Sequence, residues 1–197
     1  MKLLYKSLSM LIALFFIGLI FVPCYAVNIP DISAPSAILI EANSGKVLFE
    51  KNSHEVRYVA SLMKIMNLLI AFELIEEGKI TIKDNVTITD DNPNEPGSNI
   101  HFKSGEVLSV EDLIKAISLV SANDATIQLS KYISETEENF INKMNQKASD
   151  LKLNDTIFKN CIGNDTDGNV SSAYDIATMS RCLMEYQNLS SYLSKWI

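Results

Sequence analysis

The sequence predicts an α+β protein. A short β-hairpin stands near the start, a run of helical segments follows it, and little strand comes afterwards. Ala37–Ala42 (AILIEA) and Val47–Glu50 (VLFE) read as the two strands, with Asn43-Ser-Gly-Lys46 as the turn, since Asn and Gly tolerate the positive φ such turns require. From Ser61 to about Glu77 apolar residues are nearly continuous and Gly78 closes the run, which predicts a buried central helix with a glycine C-cap. Ile80–Ile82 and Val86–Thr89 read as short strands before a polar loop, Asn92-Pro-Asn-Glu-Pro-Gly97. Ser109 with Asp112 has the form of a capping box that opens a helix to about Val120. Asn123–Ser134 and Thr136–Leu151 follow as helices, and Ala173–Tyr186 is a last one, capped by Ser171 or Ser172.

The N-terminus sets the expected compartment. Lys2 and Lys6 precede an apolar stretch, Leu8–Val22, interrupted only by Ser9 and Gly18, and Pro23-Cys-Tyr-Ala26 ends it on a small residue. That is the form of a secretory signal peptide, residues 1–26. The apolar stretch is shorter than the roughly 20 residues that span a bilayer, so membrane contact is expected only through this segment if it stays uncleaved. Residues 27–197 then form one exported domain, without internal repeats or Pro- or Gly-rich linkers. The chain carries a net charge of −7, and loss of Lys2 and Lys6 makes it more negative, which argues against nucleic acid as a partner. Cys161 and Cys182 remain after cleavage; a bridge between them is possible, and the expectation is that they stay apart.

Chemistry enters at Ala60-Ser-Leu-Met-Lys-Ile-Met66. Ser61 and Lys64, three positions apart, share one face of a helix. A serine hydroxyl is a weak nucleophile until a base takes its proton, and lysine becomes that base when burial lowers its pKa. The apolar helix offers burial of both groups, and its N-terminus offers free N–H groups to a developing oxyanion. By spacing alone, a serine N-cap and a snorkelling lysine explain the pair equally simply. Ser121-Ala-Asn123, 57 residues beyond Lys64, changes that balance. It falls between two predicted helices, where a loop can aim both side chains into a cleft. Ser-x-x-Lys followed by Ser-x-Asn is the order found in penicillin-interacting serine enzymes.

With these motifs the chain resembles the D-alanyl-D-alanine carboxypeptidases, low-molecular-mass penicillin-binding proteins of the S11 serine peptidase type. Within them it is most similar to the sporulation-associated enzymes of clostridia and bacilli. Ser36–Glu41, Gly45–Lys51, Ala60–Met66, Ser121–Ala125, Thr156–Cys161 and Ser172–Ala177 carry the likeness. It implies a β-lactamase/transpeptidase-like fold, with Ser61 as acyl-ester nucleophile and Lys64 as general base. Ser121 would relay a proton to the departing D-alanine, and Asn123 would hold the substrate and orient Lys64. The implied substrate is the peptidoglycan stem pentapeptide, β-lactams would acylate Ser61 as its mimics, and no cofactor is implied.

The family's third motif, Lys-Thr-Gly, does not follow Ser121. Lys103-Ser-Gly105 precedes Ser121 and fits a turn before a helix. The expectation is therefore an incomplete fold: the first strands and the helical subdomain, with later sheet strands missing. Residues 27–197 then make a partial catalytic domain with little turnover by itself.

Other signals are weaker. Asp165-Thr-Asp-Gly168 hints at a calcium loop, but Gly163 and Tyr174 would occupy its first and last ligand positions. His54 and His101 lack metal-ligand spacing, so no metal is expected. A class A β-lactamase would need a deacylating Glu after Ser121, and Lys147–Asn164 contains none.

Overall fold

A computed structural model describes residues 31–89, 96–164 and 168–186, with 189 and 192. The expected signal peptide, residues 92–95 of the polar loop and the Asp165–Asp167 turn lie outside the described residues. Within them the architecture is α+β: two two-stranded antiparallel sheets and a cluster of helices.

Strands β1 (Ala37–Ile40) and β2 (Val47–Lys51) pair from Ala37↔Lys51 to Leu39↔Phe49, with a bulge at Leu39/Ile40. The turn starts two residues earlier than the sequence suggests, because the Glu41 carboxylate leaves the strand. It accepts from the Asn43 and Ser44 amides at 3.0 and 2.7 Å and from the Ser44 hydroxyl at 2.6 Å. Gly45 takes φ +70°, the left-handed value that closes the turn.

The expected helix from Ser61 divides in two. Ala60–Met63 is a 3-10 turn, and α1 begins at Lys64 and runs to Glu76. Leu68, Leu69, Ile70, Ala71 and Phe72 are buried in succession, so α1 is a central helix, as its unbroken apolarity predicts. Gly78 at φ +68° ends it, with the Lys79 amide donating back to Leu74 O at 2.9 Å.

Ile80–Ile82 is not a strand. Asp84 accepts from the Thr81 amide at 2.7 Å and its hydroxyl at 2.6 Å, which folds the segment into a turn. Strand β3 (Asn85–Thr87) pairs with β4 (Val107–Ser109), which sequence periodicity does not reveal because it is only three residues long. Helix α2 (Val110–Val120) opens on the complete Ser109/Asp112 capping box. Helices α3 (Asn123–Ser134), α4 (Glu137–Asp150, capped by Thr136) and α5 (Ala173–Met184, capped by Ser172) follow. Ser171 is not the cap: its backbone bridges to Arg57. α1 packs against α3, α4 and α5, around Met63, Met66, Phe140, Met144 and Met179, all fully buried. None of the described helices is long and apolar enough to cross a membrane.

Candidate active site

Two elements meet at the site. The first residue of α1 is Lys64, only 4% exposed. The second element is the joint between α2 and α3, where Ser121 caps α2 in the left-handed conformation at φ 56° and Asn123 is the first residue of α3. Ala122 occupies the N-cap position and has no side chain to cap with, so neither the Ser121 hydroxyl nor the Asn123 amide is spent there.

The Lys64 ammonium donates to Ser121 O at 2.6 Å, Ser121 Oγ at 3.0 Å and Asn123 Oδ1 at 2.6 Å. An ammonium has three donors, so all of them are committed. Burial pulls the Lys64 pKa down to about 8, although Cys161 and Asp124 pull it the other way. A proton can therefore leave this lysine far more readily than an ordinary one.

Ser61 departs from expectation. It lies on the 3-10 turn and is exposed rather than buried beside Lys64, and its hydroxyl does not take one of the Lys64 hydrogen bonds. The chain enters α1 through this turn from Ala60, whose φ of +46° sets the path of the backbone into Ser61. The three groups brought into contact are thus Lys64, Ser121 and Asn123, with Ser61 one turn away at the surface.

The wider setting depends on residues to which sequence reasoning assigns no role. Asn123 Nδ2 donates to Pro96 O at 2.9 Å, and the Asn123 amide donates to Ser98 O at 2.8 Å. The buried Asp124 carboxylate accepts from the amides of Ile100, His101 and Phe102 at 3.1, 2.7 and 3.4 Å. These bonds strap residues 96–102 against the start of α3. Asp124 is visible in the sequence only as the neighbour of Asn123; its partners are four backbone amides, those of Ile100, His101, Phe102 and Ala125, which leave no sequence signal.

Behind Lys64 lies a buried polar seam. Asn67 Nδ2 donates to Ser130 Oγ at 3.4 Å, and the Cys161 thiol, its pKa raised by burial, donates to Glu137 Oε1 at 3.3 Å. Cys161 and Cys182 are both free thiols. Among the described residues no group of His, Cys, Asp and Glu could hold a metal ion.

Comparison with known proteins now gives this arrangement its context. The family model described as D-alanyl-D-alanine carboxypeptidase, peptidase family S11, matches residues 24–195. The chain is 41% identical over 159 residues to D-alanyl-D-alanine carboxypeptidase DacF of Bacillus subtilis, covering 81% of this chain and 41% of that protein. It is 38% identical over 163 residues to DacA of Escherichia coli K12, covering 80% and 40%. Among solved structures, DacD of Francisella tularensis matches with a TM-score of 0.80 at 30% identity, over 85% of this chain and 40% of that one. Penicillin-binding protein 6B of Escherichia coli matches with a TM-score of 0.78 at 34% identity, over 85% and 56%. In this chain an exposed serine stands one turn before a buried lysine that is held by a second serine and an asparagine. The chain belongs to the D-alanyl-D-alanine carboxypeptidase family, peptidase S11. It spans about two fifths of the length of the curated relatives it matches.

Proposed function

We propose that this chain is the nucleophile-bearing part of an exported serine-type D-Ala-D-Ala carboxypeptidase that acts on the peptidoglycan stem pentapeptide. The observation that carries the reading is the Lys64 ammonium, buried and shared between Ser121 and Asn123 at 2.6–3.0 Å. Family membership supports the substrate. In this reading residues 1–26 are the signal peptide and residues 27–197 the partial catalytic domain.

The chemistry follows from the charge state of Lys64. A neutral amine keeps two donors and gains a lone pair, so deprotonation must release one of its three acceptors. The longest contact, to Ser121 Oγ at 3.0 Å, is the one to yield. The freed lone pair takes the Ser61 proton, directly or through a small rotation about the lysine stem, and Ser61 Oγ attacks the carbonyl of the penultimate D-Ala. That Ser61 and Lys64 are not bonded without substrate is compatible with this, because catalytic contacts often tighten only in the complex. The tetrahedral oxyanion forms near the Ser61 amide of the 3-10 turn. Its collapse expels the terminal D-Ala amine, which receives its proton from Lys64 through the Ser121 hydroxyl. Water then hydrolyses the Ser61 ester by the same proton path. β-Lactams acylate Ser61 through their strained amide. In support, penicillin-binding protein D2 of Listeria monocytogenes, 26% identical with a TM-score of 0.69, has been solved with ampicillin bound.

A fluorescent penicillin tests the assignment. One label per chain is expected at saturation, localised to Ser61 by peptide mapping, and lost in Ser61→Ala; a label that persists in that variant refutes the nucleophile.

A further inference from the structure

The segment Asn160–Asn164 lies against the peptide that carries the Ser61 amide. Gly163 is buried at φ +84°, and a Cβ built there would stand 2.2 Å from Ala60 O, 2.6 Å from Ala60 C and 3.1 Å from Ser61 N. No side chain fits that gap, so bare glycine backbone packs directly against the Ala60–Ser61 peptide. The peptide itself is constrained: Ala60 has φ +46°, a left-handed value that costs an L-residue energy and persists only when its surroundings enforce it. Among the described residues no acceptor takes the Ser61 N–H.

The glycine is held firmly. Asn160 Oδ1 accepts from three successive amides, Ile162 at 3.2 Å, Gly163 at 2.9 Å and Asn164 at 3.0 Å. Asn160 Nδ2 and Asn169 Nδ2 both donate to Asn164 O at 3.0 Å. Asn169 Oδ1 accepts from the Lys159 and Asn160 amides at 2.7 and 3.3 Å. Both asparagines are buried, and the Ile157↔Val170 bridge closes the base of the loop.

We infer that Gly163, clamped by Asn160 and Asn169, is a positioning residue for acyl transfer: it sets the plane of the Ala60–Ser61 peptide and so the direction of the Ser61 N–H and Oγ. The inference rests on Ser61 being the nucleophile, as proposed above. A loop about a hundred residues downstream thus holds the strained turn in its reactive orientation.

Gly163→Ala in the full chain tests it, with Asn160→Ala as a second variant that loosens the clamp without adding a Cβ at the contact. Two readouts are taken: the kinetics of fluorescent-penicillin acylation, resolved into encounter affinity and acylation rate constant, and the amide NMR resonances of Ala60 and Ser61. Both variants are expected to shift these two resonances. The acylation rate constant should fall by about 10²-fold, the effect of misdirecting one oxyanion donor. Encounter affinity and the pH midpoint of acylation should stay as in the parent chain, which general destabilisation would not achieve. Unmoved resonances in both variants overturn the inference, whatever the rates do. Parent-like acylation constants overturn it as well. If Gly163→Ala does not fold, Asn160→Ala alone decides. Labelling that survives Ser61→Ala removes the nucleophile assignment instead, and if the parent chain takes no label the resonances alone decide whether Gly163 sets the turn.

Discussion

Lys64 Nζ lies 2.6 Å from Asn123 Oδ1, a buried contact between residues 59 positions apart in the chain. It joins the first residue of the central helix to the first residue of α3. The Asn123 amide nitrogen simultaneously holds Pro96 O at 2.9 Å, so one side chain ties lysine, helix and strap together.

The pH dependence of acylation should follow Lys64. Its pKa is drawn down by burial from 10.5 to about 8, so the base is mostly protonated at pH 7 and becomes available as pH rises through 8. The rate of penicillin labelling is expected to climb to a plateau with a midpoint near pH 8. Lys64→Arg, whose guanidinium stays charged, should label at no pH. The stability sign is the reverse of a favourable ion pair. The folded state resists the lysine charge, so the cost is fully present below pH 8 and is relieved between 8 and 10.5. Urea titrations of the parent and of Lys64→Met across that window measure it.

Asn123→Asp should move that midpoint upward. The new carboxylate would sit against the ammonium in place of a neutral amide oxygen and favour its charged form. It also loses the donor to Pro96 O. Slower labelling at pH 7.5, partly recovered at pH 9.5, is the expected outcome.

Asp124→Asn should move the midpoint the other way. Asp124 raises the Lys64 pKa through space, so removing its charge lets the lysine deprotonate below pH 8. The same change weakens the strap at Ile100, His101 and Phe102, at a cost of about 1–3 kcal/mol for the amides left poorly paired. The downward midpoint, read from pH–rate profiles beside the loss in urea unfolding, distinguishes it from Asn123→Asp.

Phe140→Ala tests the helical core apart from the chemistry. Phe140 is fully buried on α4, and its truncation should cost about 3–5 kcal/mol, read from denaturant unfolding. The pH midpoint of whatever labelling remains should stay near 8.

The sequence by itself determined the elements whose bonding is local. The Ser109/Asp112 box, the Thr136 and Ser172 caps, the Gly78 stop and the Gly45 turn each satisfy groups within a few residues, so a short pattern suffices to specify them. The Ser-x-x-Lys and Ser-x-Asn motifs named the groups that would meet. Tertiary structure alone decided how they meet. Ser61 lies exposed on a 3-10 turn packed against Gly163, where apolar periodicity predicts α-helix. β4 exists only because β3 is beside it, and Thr81 turned away from a strand because Asp84 captured it. The lowered pKa of Lys64 likewise belongs to no segment. Its burial comes from packing α1 among the other helices, and its three acceptors arrive from a joint 57 to 59 residues away. Desolvation and long-range hydrogen bonds are properties of assembled neighbours, and a linear pattern carries only the residues that can take part in them.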